Sequence, residues 1–235
     1  MVKTLSEALV GPRGTVADCQ GPGRSGTRRG GSATAMAKRA LDIVMASTLL
    51  VLLLPLLVAL VAMVRMDGGP AFFGHRRIGR NGTGFGCLKF RSMVPDSDRV
   101  LQDLLARDPE AARNWALNRK LRDDPRITRL GRVLRATSLD ELPQLLNVLR
   151  GEMSFVGPRP VVEEELRQHY GAAAADYMAV RPGITGLWQV SGRSDTSYEQ
   201  RVALDRRYVQ ELSLRNDIVI LARTVPAVLL RRGAV

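Results

Sequence analysis

Ser138-Leu139-Asp140-Glu141 sets two adjacent carboxylates at what reads as the start of a helix, just downstream of Arg132 and Arg135. A Ser followed three residues later by Glu has the form of a capping box. Leu142, Leu145, Leu146 and Leu149 at helical spacing predict the helix that it opens, with Gly151 to end it. Asp140 would then occupy the first turn, where free backbone N–H groups and the helix dipole stabilise an ionised carboxylate and also bind a phosphate oxygen. Arg132 and Arg135 can hold an anion at the same end, and Arg159, set between Pro158 and Pro160, adds a guanidinium fork with little freedom. A carboxylate nucleophile facing phosphorus needs such neighbours, because like charges otherwise keep the two apart. Acidic residues in the first turn of a helix serve in most proteins only as caps, so the pair alone leaves both roles open.

Other residues compete for the chemistry. Lys89 and Arg91 alternate around Phe90, so on a strand both cations share one face. Two cations without a carboxylate between them repel, and an anionic ligand or lipid headgroups would relieve that. Asp96-Ser97-Asp98 has the Asp-x-Asp form that binds a divalent ion and a nucleotide diphosphate in many glycosyltransferases, although it also suits a helix start. His75 lies in a basic cluster and reads as a surface residue, and His169 follows a charged helix and reads as solvent-facing. Arg126, Arg129 and Arg132 at i, i+3, i+6 form a basic stripe. Cys19 and Cys87 have neither metal-ligand spacing nor the makings of a disulfide framework.

The elements that position these groups begin with an apolar segment. From Ile43 to Val64 the chain carries no charge over 22 residues, enough to cover roughly 30 Å of hydrocarbon. Pro55 at its centre removes a backbone donor and crowds the preceding turn, so a kink or reversal is predicted. Lys38 and Arg39 precede the segment, and Arg65, Arg76, Arg77 and Arg80 follow it. Basic flanks at both ends favour the cytoplasmic side for both. A helix that enters the membrane, bends at Pro55 and returns satisfies both observations; a kinked transmembrane anchor is the plainer reading. Residues 1–36, rich in Gly, Arg, Ser and Thr, read as a disordered basic tail.

Beyond the apolar segment, Phe72-Phe73 and Phe85 to Phe90 predict short strands about an Asn81-Gly82 turn. Helical spacing predicts helices over 98–121 and around Ile127–Leu134, and again over Val161–Tyr170 after a rigid turn at Gly157–Pro160. Arg181–Arg193 reads as turn, strand, turn. Ile218–Leu230, too short to span, reads as a helix lying in the membrane interface. The formal charge of +12 implies anionic partners, and beside a membrane segment these are acidic phospholipids and phosphate-bearing substrates. Aromatic residues make up 5% of the 235-residue chain, too few for base-stacking platforms, and nucleic acid is not expected as a partner.

Taken in order, KRALD, the apolar segment with its proline, KFRSM, DDPRITRLGRVLRATSLDELPQLLNVLRGEMSFVGPRP and RPGITGLWQVSGR resemble the monotopic bacterial sugar transferases that place a hexose-1-phosphate on a polyprenyl phosphate. The resemblance runs from about residue 38 to 235. FGHRRIGRNG and the terminal TVPAVLLRRGAV liken the chain most to the short galactosyl-phosphate transferases that begin exopolysaccharide synthesis. Larger members carry extra N-terminal membrane helices, and none is expected here.

The resemblance implies an α+β, membrane-associated monotopic domain in three parts. These are a tail over 1–36, a re-entrant membrane helix over 37–66 broken at Pro55, and a catalytic domain over 67–235 with interfacial helices and a small β element. It implies Asp140 as the nucleophile that attacks the β-phosphorus of a UDP-hexose and expels UMP, and Glu141 as a Mg²⁺ ligand. Lys89, Arg135 and Arg159 would hold phosphate groups. Undecaprenyl phosphate would be the acceptor, on the cytoplasmic face of the bacterial inner membrane, and a homodimer is left open. Family members often carry Ser before the helix-breaking proline, where this chain has Leu54.

Overall fold

The computed structural model describes residues 30–118, 121, 123–192 and 196–229. Helix α1 (Gly30–Leu52) begins inside the stretch expected to be tail, and residues 1–29 lie outside the described residues. At Leu53 the chain turns into α2 (Leu54–Arg65), bent by 66° from α1. Pro55 explains the break: it cannot donate to the turn before it, yet it fits the first turn of a new helix. No single helix among the described residues is long and apolar enough to cross a membrane, whereas the bent pair together has the length and composition. Val44, Val51, Leu52, Leu54 and Val58 on this pair are each more than half exposed.

The cations ahead of the apolar segment do not face lipid headgroups. Lys38 Nζ donates to Asp217 Oδ2 (2.6 Å) and to the Val156 carbonyl (2.9 Å). Arg39 donates to the carbonyls of Val148 (2.7 Å) and Leu149 (3.0 Å). Asp42, one turn on and 4% exposed, accepts from the N–H of Phe155 (3.0 Å) and the hydroxyl of Ser154 (3.2 Å). The middle of α1 is thereby bolted to three separate elements that follow in the chain.

Strands β1 (Phe72–Ile78) and β2 (Gly84–Phe90) form an antiparallel hairpin whose register pairs Phe73 with Lys89, His75 with Cys87 and Arg77 with Phe85. Asn81 (φ 57°) and Gly82 (φ 72°) make its turn, as the Asn-Gly pair predicts. The single helix read over 98–121 is two: α3 (Ser97–Arg107) and α4 (Pro109–Asn118). Asp108 divides them, its Oδ1 accepting from the N–H groups of Glu110 (2.9 Å) and Ala111 (3.0 Å). Helix α5 (Arg129–Ala136) is capped by Thr128, and α6 (Gln144–Arg150) ends at Gly151 (φ 80°).

Then come β3 (Ser154–Val156), α7 (Glu163–Glu165) running into a wide turn through Tyr170, α8 (Ala174–Ala179) and β4 (Gly183–Thr185). Strands β3 and β4 pair in parallel. The backbones cross so closely beyond β3 that a Cβ on Gly157 or Gly183 would collide with the other segment's main chain, which accounts for the glycines of GPRP and RPGITG. The turn expected after β4 is instead a short helix, α9 (Leu187–Ser191), and residue 193 lies outside the described residues. Helices α10 (Tyr198–Gln210) and α11 (Leu214–Leu229) complete the α+β fold.

One core joins Ala46, Phe85, Leu145, Val148, Phe155, Tyr208 and Ile220, drawn from α1, β2, α6, β3, α10 and α11. A second joins Leu60 and Val64 of α2 to Phe90 and Leu134, with Leu139 and Leu142 packed against it.

Candidate active site

Asp140 lies in a three-residue 3₁₀ turn, Leu139–Glu141, and not in the first turn of an α-helix. The capping box expected at Ser138 does not form. Ser138 sits in the left-handed region (φ 57°) and its side chain caps nothing. The reason is packing: the reversal after α5 lets both Leu139 and Leu142 reach the core around Leu60, Phe90 and Leu134. A cap contributes about 1 kcal/mol, and burying even part of two leucines outweighs it.

The same reversal drives Asp140 inward to 7% exposure, against β2. Lys89 Nζ lies 2.6 Å from Glu141 Oε1 and 3.6 Å from Asp140 Oδ2, one ammonium serving two carboxylates. Burial pushes the Asp140 carboxyl pKa up, Lys89 and Arg135 pull it down, and Glu141 adds to the rise. The net direction is upward, so this carboxylate is more basic than an exposed aspartate. Arg135 is steadied by a bond from its Nε to Ser92 Oγ (2.8 Å).

Asn147, fully buried on α6, fixes the distance between the acidic turn and β2. Its Oδ1 accepts from Leu88 N–H (2.9 Å), and its Nδ2 donates to the Gly86 carbonyl (2.8 Å) and to Glu152 (2.6 Å). One amide thus pairs the outer edge of β2 on either side of Cys87, one residue short of Lys89. Nothing in the spacing of apolar residues marks this asparagine; a polar residue amid the leucines of a helix was the only signal.

The sequence candidates divide. Lys89, Arg135, Asp140 and Glu141 come together. Arg91 does not present its charge to a ligand as Lys89 does: its guanidinium pairs with Asp67 and donates to the carbonyls of Val64 (2.8 Å), Pro70 (2.7 Å) and Met93 (3.1 Å). It clamps the end of α2 to the hairpin. Arg126 leaves the expected stripe, buried in a two-pronged pair with Asp124 (2.8 and 2.7 Å) and set over the Trp115 ring. Arg129 and Arg132 remain exposed.

Asp96 pairs with Arg99 (3.4 Å) at an exposed helix start without capping a backbone N–H, and among the described residues the Asp-x-Asp triplet gathers no metal-type cluster. His75 shares the Lys89 face of the hairpin, and burial lowers its pKa. His169 stacks on Tyr198, ring centroids 3.8 Å apart. Arg159 is exposed with its guanidinium 5.8 Å from the Trp188 ring centroid, and its charge acts on Cys87 together with those of Lys89 and Glu141. No hydrogen bond or ion pair among the described residues joins it to Lys89, Asp140 or Glu141. The sequence reading missed Trp188 and its second cation, Arg201.

Among the described residues no three His, Cys, Asp or Glu side chains converge as a metal cage. Mg²⁺ commonly takes only one or two protein carboxylates and draws its other ligands from water and substrate phosphates. Asp140 and half-exposed Glu141 supply that minimum, so the pair fits a Mg²⁺ that arrives with a diphosphate.

The bacterial sugar transferase family model matches residues 33–231. The exopolysaccharide production protein ExoY of Rhizobium meliloti is 56% identical over 200 residues, covering 85% of this chain and 88% of the relative. The UDP-galactose-lipid carrier transferase of Erwinia amylovora is 56% identical over 197 residues, 84% of this chain and 41% of the relative. The undecaprenyl-phosphate galactose phosphotransferase of Salmonella typhimurium is 53% identical, with the same shares covered. The matched span takes in the whole cluster around Asp140.

Proposed function

Because the chain belongs to the bacterial sugar transferase family, we propose that it moves a hexose-1-phosphate from a UDP-sugar to undecaprenyl phosphate at a membrane surface. The observation that carries the mechanism is a buried, basic Asp140 whose ion-pair partner, Lys89, is drawn more tightly to Glu141. Asp140 therefore keeps lone pairs for attack, while Glu141 holds the ammonium in place.

In the first step an Asp140 oxygen bonds to the β-phosphorus and the bond from that phosphorus to the bridging oxygen breaks. UMP leaves with the electron pair, and an aspartyl phospho-sugar remains. In the second step a phosphate oxygen of undecaprenyl phosphate attacks the same phosphorus and frees the carboxylate, giving undecaprenyl-diphospho-hexose. Such transfer needs positioning and charge neutralisation more than side-chain acid–base work. Lys89 and Arg135 supply positive charge to Asp140, and Arg159 is assigned to a further phosphate contact on the family resemblance. A Mg²⁺ on Glu141 would neutralise further diphosphate charge. Division into two steps lets a soluble donor and a lipid acceptor use one nucleophile in turn.

The bent α1–α2 pair, with its exposed apolar residues, is read as the re-entrant anchor that sets this site at headgroup level on the cytoplasmic face of the inner membrane. Galactose is the proposed sugar, on the similarity to two relatives named for it. Membranes holding the protein, given undecaprenyl phosphate, Mg²⁺ and UDP-galactose labelled in the β-phosphate, are expected to release UMP and to leave label on the denatured protein. Asp140→Ala is expected to do neither. Release of UDP in place of UMP would overturn the mechanism, and turnover with UDP-glucose alone would overturn the sugar.

A further inference from the structure

The register of the β1–β2 hairpin divides its side chains between two faces. On one, Phe72 stacks on its partner Phe90, ring centroids 5.3 Å apart, and Phe90 packs with Leu60 and Val64 of α2. On the other, β2 presents Phe85, Cys87 and Lys89, and β1 presents their partners Arg77, His75 and Phe73. Phe85 and Cys87 are buried in the core with Leu145, Val148 and Phe155. Lys89 leaves that core for the carboxylates of Glu141 (2.6 Å) and Asp140 (3.6 Å).

Phe73 stands directly across from Lys89, where paired side chains start about 5 Å apart, so it is the next side chain outward from the carboxylate cluster. It is 55% exposed, on the face away from α2. Its ring meets that of His75 edge-on, centroids 6.2 Å apart and planes at 73°. Two exposed rings thus form a corner beside the ammonium.

The imidazole in this corner has a fixed polarity. Its Nδ1 lies 3.1 Å from the Arg76 carbonyl, which can only accept, so Nδ1 carries the hydrogen. Burial, with Arg77 and Lys89 nearby, lowers the His75 pKa, and the neutral ring offers Nε2 as an acceptor. His75 makes no other side-chain hydrogen bond among the described residues. A flat apolar ring beside an unused acceptor is the chemistry that recognises a pyranose, whose C–H groups stack on aromatic faces and whose hydroxyls donate.

In the transfer reading above, on which this inference rests, a single oxygen joins the hexose to the β-phosphorus. With that phosphorus at Asp140 and Lys89, the sugar lies within one side chain's length of both. We propose that Phe73 and His75 form the hexose subsite, Phe73 stacking on the apolar face of the sugar and His75 Nε2 accepting from one of its hydroxyls. Galactose fits this pair better than glucose. Its axial 4-hydroxyl gathers the C–H groups of C3, C4 and C5 on one side, whereas glucose divides them between two faces. An isoprenoid chain has no hydroxyl for His75, and a lipid-facing aromatic belongs on the α2 face, where Phe72 already lies.

Binding is measured on the full-length Asp140→Asn chain in detergent, without acceptor, so that no transfer intervenes. By equilibrium dialysis, Phe73→Ala and His75→Leu are each expected to weaken UDP-galactose about tenfold and to leave UDP unchanged. Phe73→Tyr and His75→Gln keep the ring and the acceptor and are expected to stay near the parent. In the transfer assay, with Asp140 intact, Phe73→Ala is expected to lower kcat/KM for UDP-galactose more than for UDP-glucose. The KM for undecaprenyl phosphate is expected not to change.

Equal UDP-galactose affinity in the parent and in both folded variants would overturn the subsite. Equal weakening of UDP would overturn it by assigning Phe73 to the nucleotide, and a rise in acceptor KM alone by assigning it to the lipid. If Phe73→Ala does not fold, Phe73→Leu, which keeps apolar bulk without the flat ring, decides by the same readouts. Label on Asp140 and UMP release with unaltered sugar binding sink the subsite and spare the transfer reading. Weakened UDP-galactose binding in the variants, without label or UMP release from wild type, sinks the covalent route and spares the subsite.

Discussion

As the proposed nucleophile Asp140 must be ionised to attack, yet it is buried where ionisation is disfavoured. Its raised pKa makes a definite demand on the pH profile. The first half-reaction, followed as UMP release, is expected to fall on the acid side at a pH above the ordinary aspartate value of 3.8, because protonated Asp140 cannot attack. Lys89→Ala removes the main cation that opposes the shift, so it is expected to move that limb to higher pH as well as to slow the reaction. A limb that stays in place would mean Lys89 acts on substrate alone.

Asp205 gives a second pH test away from the site. It is 2% exposed, accepts from Tyr170 at 2.8 Å and leaves Oδ1 without a partner among the described residues, and burial pushes its pKa up to about 7. The folded pKa is above the unfolded value, so the fold favours the protonated form. The stability tied to that form is fully present below about pH 4 and is lost as pH rises through about 7. Asp205→Asn is therefore expected to be more stable than wild type, by an amount that grows between those limits to a few kcal/mol and then levels. A difference in Tm that does not change with pH would show that Asp205 does not titrate there. At this scale the sequence spacing was informative where partners are local, as for Asp140 and Glu141. It misled at Arg91, because the alternation that pairs it with Lys89 says nothing of Asp67, far upstream, which captures it.

Elements carry the geometry that single residues exploit. Asn147 is the joint between α6 and β2, so Asn147→Leu keeps volume but strands the buried N–H of Leu88 and the carbonyl of Gly86. Each such loss costs about 1–3 kcal/mol. The variant is expected to lose roughly 2–4 kcal/mol of stability and, where still folded, to lose kcat more than donor affinity as Lys89 drifts from the acidic turn. Denaturant melts with parallel kinetics check both; an unchanged kcat at reduced stability would confine Asn147 to the fold. The element scale also explains why a capping box was read at the wrong serine. Ser138-x-x-Glu141 gives way to leucine burial, whereas Ser197 and Gln200 form the reciprocal pair at the start of α10 (3.3 and 3.1 Å). Helix α10 was not legible because Asp205 occupies its buried face between Val202 and Tyr208 and breaks the apolar period. The β1–β2 hairpin was legible because Asn-Gly fixes its turn without help from distant parts of the chain.

At the scale of the whole molecule, the bent α1–α2 pair is anchored to the rest of the fold by buried polar contacts. Lys38, Arg39 and Asp42 tie the middle of α1 to α11, α6 and β3, so the 66° bend at Leu53 is held relative to the site. The apolar run and its proline predicted the break between α1 and α2. They did not show that its basic flank is consumed in internal bonds, since Asp217 lies 179 positions away. This arrangement makes topology measurable with native residues. Cys87 is buried, which makes Cys19 the native thiol to probe. With a re-entrant pair, an impermeant maleimide is expected to spare Cys19 in intact cells and label it after lysis, while a C-terminal tag stays protected in the same cells. Cys19→Ser supplies the control. Pro55→Leu restores the missing donor and removes the ring that opens the turn, favouring a straight, fully apolar helix by about 3 kcal/mol locally. Against the bonds at Lys38, Arg39 and Asp42, that gain is expected to produce a mixed population in which some Cys19 becomes reactive in intact cells, with activity falling in proportion. Labelling of wild-type Cys19 in intact cells with the C-terminal tag still protected would mean that the pair crosses the bilayer. The docking of α1 would then place its partners, and Asp140 with them, at the end of a spanning helix instead of beside a hairpin.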